Sequence, residues 1–414
     1  MRVEGDGAGT RRAIGRTAGA QVTMAKKQLQ IDKLMGALIH KDGSDLHLAV
    51  GSPPMIRLNG RMYRLQTKEL TADDTVALMK SITPEKNQQE LQESGTTDFA
   101  VGMHNSRFRT SVHRMQYEDQ PNVVGIVMRL IPKTLLTWEQ LHFPDPDIIK
   151  QLCMMPRGLV LVTGPTGSGK TTTLATMIDF VNQTRHDHIV TLEEPIEFVH
   201  PHKRCRVTQR EVGVHLPDFN DGIRRSLRMD PDIILVGEMR DYTTIKAATT
   251  AAETGHLVFG TLHTSSAPST IERIVDSFPV NEQSQIRAML TGSLEAIIAQ
   301  RLLRKKGGGR VAAFEIMIPD PGIKHNIREG QTYKIPSSMQ TGKAKGNVLM
   351  DNQLFTLVHE GLVEAEDALA LAHDFADFER KLKEANLIGF DASLVEAAER
   401  SVEKEKGKGG QSAA

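Results

Sequence analysis

Gly164-Pro165-Thr166-Gly167-Ser168-Gly169-Lys170-Thr171 is the stretch from which the rest of the chain reads. It follows the apolar run Leu159-Val160-Leu161-Val162 and leads through Thr172 into Thr173–Ile178, which can continue as a helix. Strand, glycine-rich loop and helix in this order make a phosphate-binding loop. The glycines let backbone N–H groups turn inward toward phosphate oxygens, and the helix N-terminus adds partial positive charge. Lys170 is expected near the β- and γ-phosphates, and the Thr171 hydroxyl is placed to hold Mg²⁺. Residues Gly164 to Thr172 are therefore the expected cradle of a nucleoside triphosphate, ATP with Mg²⁺.

The composition sets limits around that loop. A chain of 414 residues is long enough for two or three domains, and 39% hydrophobic with 25% charged residues is globular. Fifty-one basic residues balance 51 acidic ones, so nothing global calls for a polyanion partner, and 4% aromatics offer few stacking platforms for single-stranded nucleic acid. No apolar run approaches the ~20 residues that span a bilayer. The expected setting is cytoplasmic. Cys153 and Cys205, the only cysteines, cannot build a disulfide framework or a four-cysteine zinc site.

Working outward from the loop, the expected organisation has six parts. Residues 1–23, rich in Gly, Ala, Thr and Arg, read as a disordered extension, with Met24 an alternative start. Residues 24–130 carry short strands and helices in α+β order, with Asn59-Gly60 a hairpin signal. Residues 131–146 read as a linker, ordered where Leu135, Leu136 and Trp138 pack. From 147 to 320 the runs Leu159–Val162, Ile189–Leu192, Ile233–Val236 and Leu257–Thr261 alternate with helical patterns, the signature of a parallel sheet covered on both faces. Helical patterns at 322–329, 351–360 and 365–375 fill a region to about 390, and 391–414 reads as a charged tail.

Ligands of an open α/β sheet sit beyond the carboxyl ends of its strands. Glu193, Glu194 and Glu197 follow one apolar run, Glu238 another and His263 a third, all toward the edge expected to hold Lys170. Carboxylates beside a triphosphate call for a cation or an attacking water. Glu238 fits the water-polarising acid, Glu193 a metal-water ligand or second water-orienting group, and His263 a donor to the γ-phosphate. Arg107, Arg109, Arg114 and Arg129 on strand-like segments, and Arg224, Arg225 and Arg228 on a later helix, are either a solvated basic face or arginine fingers for a neighbouring subunit.

Several stretches together resemble the secretion and pilus motor ATPases, above all the type IV pilus retraction branch. They are Gly158–Thr173, Thr191–Phe198, Thr208–Gly213, Asp230–Asp241 and Ala252–Thr264, within a resemblance covering roughly residues 27–385. It implies a PAS-like first domain, a RecA-like second domain and a hexameric ring working beside an inner-membrane pilus platform, with a related motor ATPase as a further possible partner and no nucleic acid. It gives Glu238 the catalytic glutamate role and Glu193 an acidic-box role, and makes Arg109, Arg114 and Arg129 trans-acting candidates. Assembly ATPases of the superfamily usually carry a tetracysteine module, which two cysteines cannot supply. Two departures stand out: Glu193-Glu194-Pro195 where the family usually has Glu-Asp-Pro, and Gly322-Ile-Lys-His-Asn-Ile-Arg328 where it usually has Ala-Ile-Arg-Asn-Leu-Ile-Arg. The second motif is tied to retraction, so an accessory retraction ATPase, an assembly ATPase and a nucleotide-gated scaffold stand as alternatives.

Overall fold

The computed structural model describes residues 30–388 except 59–60, 105 and 132–133. The expected N-terminal extension, the Asn59-Gly60 turn and the C-terminal tail lie outside the described residues.

Alternation along the first half builds an antiparallel sheet. Its strands are β1 (Asp45–Leu48), β2 (Met55–Leu58), β3 (Arg61–Arg64), β4 (Thr96–Met103), β5 (Ser106–Tyr117) and β6 (Gln120–Ile131), in the order β3-β2-β1-β6-β5-β4. Along β5, Phe108, Thr110 and Val112 are buried while Arg107, Arg109 and Ser111 take the other face. The buried face meets Leu34, Met35 and Leu38 of the helix Ile31–His40, Leu78 and Met79 of Ala72–Lys80, and Leu91 of Glu85–Ser94. Each large apolar side chain withdrawn here contributes about 2 kcal/mol. Thr71 and Asp74 close a reciprocal cap at the start of the second helix, which fixes where it begins.

The connection is ordered by aromatic packing. Thr137 and Gln140 cap a single turn, Trp138–Leu141, and Trp138 lies edge-on to Phe180 with ring centroids 5.5 Å apart. Phe143 stacks on Phe314 at 4.2 Å. The next helix, Pro146–Cys153, starts with Pro at its first position and with Asp145 accepting from the N–H groups of Asp147 and Ile148.

The second sheet has seven strands: β7 (Gly158–Thr163), β8 (His188–Glu193), β9 (Arg206–Glu211), β10 (Ile233–Val236), β11 (Leu257–Leu262), β12 (Leu294–Arg304) and β13 (Arg310–Met317). Their order is β13-β12-β7-β11-β10-β8-β9, with every pairing parallel except β12 with β13. All residues of β7 and β11 are buried because helices cover both faces. Leu161, Val190, Ile234 and Val258 face one core; Val160, Val162, Ile189 and Phe259 face the other. Two strands escaped the periodicity. The sheet edge β9, Arg-Val-Thr-Gln-Arg-Glu, is polar, and β12 follows the helix Gln283–Ser293 with no intervening turn residue.

Beyond β13 the chain is helical. Helices Pro321–Arg328 and Ile335–Thr341 add Ile323, Ile327, Ile335 and Met339 to the first core. Met350–His359 and Phe375–Glu384 pack with Leu303, Val311 and Ala313. The pattern over 365–375 is a short helix, Ala365–Leu369, and then a fresh start at Phe375, where Asp374 accepts from the Asp377 N–H.

Candidate active site

The glycine-rich loop runs from the end of β7 to the helix Lys170–Thr184. Gly164 has φ of 145°, and a Cβ there would lie 2.3 Å from the Gln300 carbonyl oxygen and 2.6 Å from Ser168 Oγ. Gly169, with φ of 93°, would bring a Cβ to 2.9 Å from Gln300 Nε2. These two glycines are required because the loop presses against β12, and no side chain fits between them. Thr173 Oγ1 donates to Gln300 Oε1 at 2.8 Å, which seats the first turn of the helix on the same strand. Gly169 is the N-cap and supplies no side-chain acceptor, so the first N–H groups of the helix remain available to an anion. Among the described residues, buried Ser168 Oγ has no hydrogen-bond partner. Lys170 Nζ donates to the carbonyls of Gly164 at 2.8 Å and Pro165 at 3.2 Å, curling its charge over the loop. Burial lowers the Lys170 pKa, against the pull of Glu238 and Glu197. The loop thus offers free backbone donors and a half-buried cation, which suits phosphate.

The neighbouring strand ends converge as expected for Glu238 and His263. Glu238, two residues past β10, takes His263 Nε2 on Oε1 at 2.8 Å, and Arg240 grips both its oxygens, with Nη2 at 2.7 Å from Oε2. Burial pushes the Glu238 carboxyl up, but Arg240 and His263 together hold it below the usual glutamate range. It is a carboxylate poised beside Lys170.

Glu193 behaves differently. Its side chain is 8% exposed and turns into the β8–β9 pair, where Oε1 accepts from Thr191 Oγ1 at 2.6 Å and Gln209 Nε2 at 3.1 Å. Burial raises its pKa above the ordinary value. The last carboxylate of β8 is thus an internal acceptor in this arrangement, while Glu194 is exposed and Glu197 pairs with Arg109 at 3.7 Å.

The structure separates the three predicted arginines. Arg109 and Arg129 are directly opposite on β5 and β6 and share the face away from the helices. Arg129 Nε donates to buried Asp45 at 2.8 Å, which fastens that arginine to β1. Arg114 is out of phase: it pairs with Val124, a core residue, and so stands on the helix-covered side, at the rim. Five residues of strand put Arg114 on the opposite face from Arg109, so the three candidate arginines do not share one face.

Sequence reasoning missed three contributors, Arg240, Gln209 and Gln300, and gave Arg107 a different role. Arg107 Nε donates to the Ile196 carbonyl at 2.8 Å and Nη2 pairs with Glu211 at 2.9 Å, joining the first sheet to the acidic loop. Arg240 stands two residues from Glu238, a spacing that carried a signal. Gln209 and Gln300 carried none, since only strand pairing brings them to the site.

The model of the type II/IV secretion system protein family matches residues 25–362. The chain belongs to this family. It is a secretion-type ATPase. The type IV pilus retraction ATPase PilT of Pseudomonas aeruginosa is 47% identical over 341 residues, 82% of this chain and 97% of that protein. The type IV pilus ATPase PilU of the same organism is 35% identical over 357 residues, 86% of this chain and 92% of PilU. A crystal structure of the pilus retraction motor PilT with bound ADP superposes with a TM-score of 0.77 at 45% identity, over 85% of this chain and 99% of that one. The match of this secretion ATPase to a solved ADP-bound motor over 85% of its chain supports nucleotide binding.

Proposed function

We propose that this secretion-type ATPase is a hexameric motor that hydrolyses ATP to ADP and phosphate and uses the energy to draw pilin subunits out of a type IV pilus, powering twitching motility. The observation that carries this reading is the near full-length match to a pilus retraction ATPase. Residues Gly164–Thr172 hold the triphosphate, Lys170 neutralises it, and Glu238 polarises the attacking water with His263 against the γ-phosphate. No group of three or more His, Cys, Asp or Glu able to hold a metal occurs among the described residues. A Mg²⁺ ion would be held by Thr171 Oγ1 and would supply charge neutralisation at the phosphates; Glu193, turned onto Thr191 and Gln209, would serve it only after releasing them.

The domain limits that suit this motor are 24–130 for the first unit, 147–320 for the ATPase unit and 321–390 for the helical region. In a ring, Arg109 and Arg129, on one open sheet face, are the arginines we assign to a neighbouring subunit's nucleotide. The motor works at the cytoplasmic face of the inner membrane, attached through a platform protein; no helix among the described residues is long and apolar enough to cross a membrane.

Removing the gene tests the direction of the motor. Cells that carry more surface pili and no longer twitch are the expected result, and bald cells would assign the chain to assembly. An accessory retraction role is favoured by Lys324 and His325 in the helix Pro321–Arg328, and an unchanged strain would support it. A scaffold reading requires turnover no faster than that of Glu238→Gln.

A further inference from the structure

We propose that Arg240 is a two-seat positioning residue: on Glu238 it occupies the carboxylate that water must use, and on Glu194, across the cleft beside the first domain, it frees that carboxylate. The proposal rests on the reading of Glu238 as the water-polarising acid.

The first seat is explicit. Arg240 grips both oxygens of Glu238, and His263 takes Oε1 as well. A carboxylate polarises water by offering a lone pair to its proton, and a bidentate guanidinium takes the same lone pairs and lowers their basicity. Arg240 reaches in from outside: its side chain is 71% exposed against 19% for Glu238. Its hydrogen bonds among the described residues all go to Glu238, so nothing else fixes it in place.

The second seat is the neighbouring exposed carboxylate. Glu194 makes no ion pair or hydrogen bond among the described residues, yet its charge already acts on the Arg240 guanidinium. Glu194 and Arg240 line one cleft of about 990 Å³, with Arg109 and Phe99 of the first sheet on its far wall. The segment carrying Glu194 is also tied to that sheet, by Arg107 to the Ile196 carbonyl and to Glu211 and by Arg109 to Glu197. Movement of the first domain therefore carries the second seat with it. A guanidinium that changes partner as the cleft changes width links domain movement to the availability of Glu238, with no new residue entering the site.

The test is steady-state ATP hydrolysis by the full chain at saturating ATP. Arg240→Gln should raise kcat about threefold with KM unchanged within about twofold, since it empties the first seat without touching nucleotide. Arg240→Lys, which keeps a single ion pair, should fall between this variant and wild type. Glu194→Gln should lower kcat by about threefold, because Arg240 loses its alternative. The double variant should match Arg240→Gln alone, as Glu194 acts only through Arg240. A fall in kcat for both Arg240→Gln and Arg240→Lys, or multiplied effects in the double variant, overturns the proposal. Glu238→Gln separates the two readings. Wild-type turnover in that variant removes the acid assignment itself, whereas an inactive Glu238→Gln beside an unaccelerated Arg240→Gln removes only the two-seat role.

Discussion

The glycine loop and the first-domain arginines, both proposed above for phosphate chemistry, are specified in opposite ways. The loop is nine consecutive residues whose geometry follows from glycine positions and from contact with one strand, β12. The arginines come from separate strands, and their usefulness depends on sheet phase: Arg109 and Arg129 share a face, while Arg114 stands on the other. A contiguous site is robust to reading in one dimension. A dispersed one is decided by register, where an odd or even count of residues sends a side chain to opposite sides.

The largest effects should fall on the contiguous side. Lys170→Ala and Glu238→Gln should each cut phosphate release at least about 100-fold, with Glu238→Gln still binding a fluorescent ATP analogue. Retained turnover in either would break the comparison at its stronger end. Gly164→Ala should come next, because its Cβ would meet the Gln300 carbonyl at 2.3 Å in a backbone conformation that alanine resists. A stability loss of about 2 kcal/mol and nucleotide affinity at least about tenfold weaker are expected in denaturant titration and equilibrium binding.

The arginines sharpen the contrast. Arg109→Ala should lower turnover about tenfold in assembled rings, whereas Arg114→Ala should stay within about twofold of wild type. Equal losses at both positions would show that strand phase does not select the acting arginine. Arg107→Ala belongs to neither class and should act by loosening the first sheet from the acidic loop.

The smallest effect concerns Glu193. Its folded pKa is raised by burial, so the folded state holds a proton that the unfolded chain releases near its reference value of 4.5. Stability from this group is fully present below that value and is lost as pH rises through the folded pKa. Glu193→Gln keeps the acceptor for Thr191 and Gln209 and removes the charge. It should raise the thermal midpoint by about 2–4 °C at pH 7, with the gain fading on acidification. A midpoint difference independent of pH would place the Glu193 carboxylate in solvent or on a cation.

Much of the fold was legible where apolar runs were continuous. Strands β7, β10 and β11 are buried at every residue and β8 at all but His188, and the alternation at the start of β5 goes with a half-covered sheet. β9 and β12 were not legible. The first is a polar edge strand, and the second continues directly from a helix whose Gly292 lies within the helix and not at its junction with the strand. Missing them hid Gln209 and Gln300, and with Gln209 the reason Glu193 turns inward.

By itself the sequence determined the strand, glycine loop and helix order, the strand-end placement of Glu238 and His263, and an α+β first half followed by a mainly parallel sheet. Each of these is local, set by the order of strand, turn and helix. Tertiary structure alone decided that Glu193 faces Gln209, that Gln300 seats the glycine loop, and that Arg107 ties the first sheet to the acidic loop. These depend on which strands become neighbours and in what register, and that information lies in packing between segments far apart in the chain.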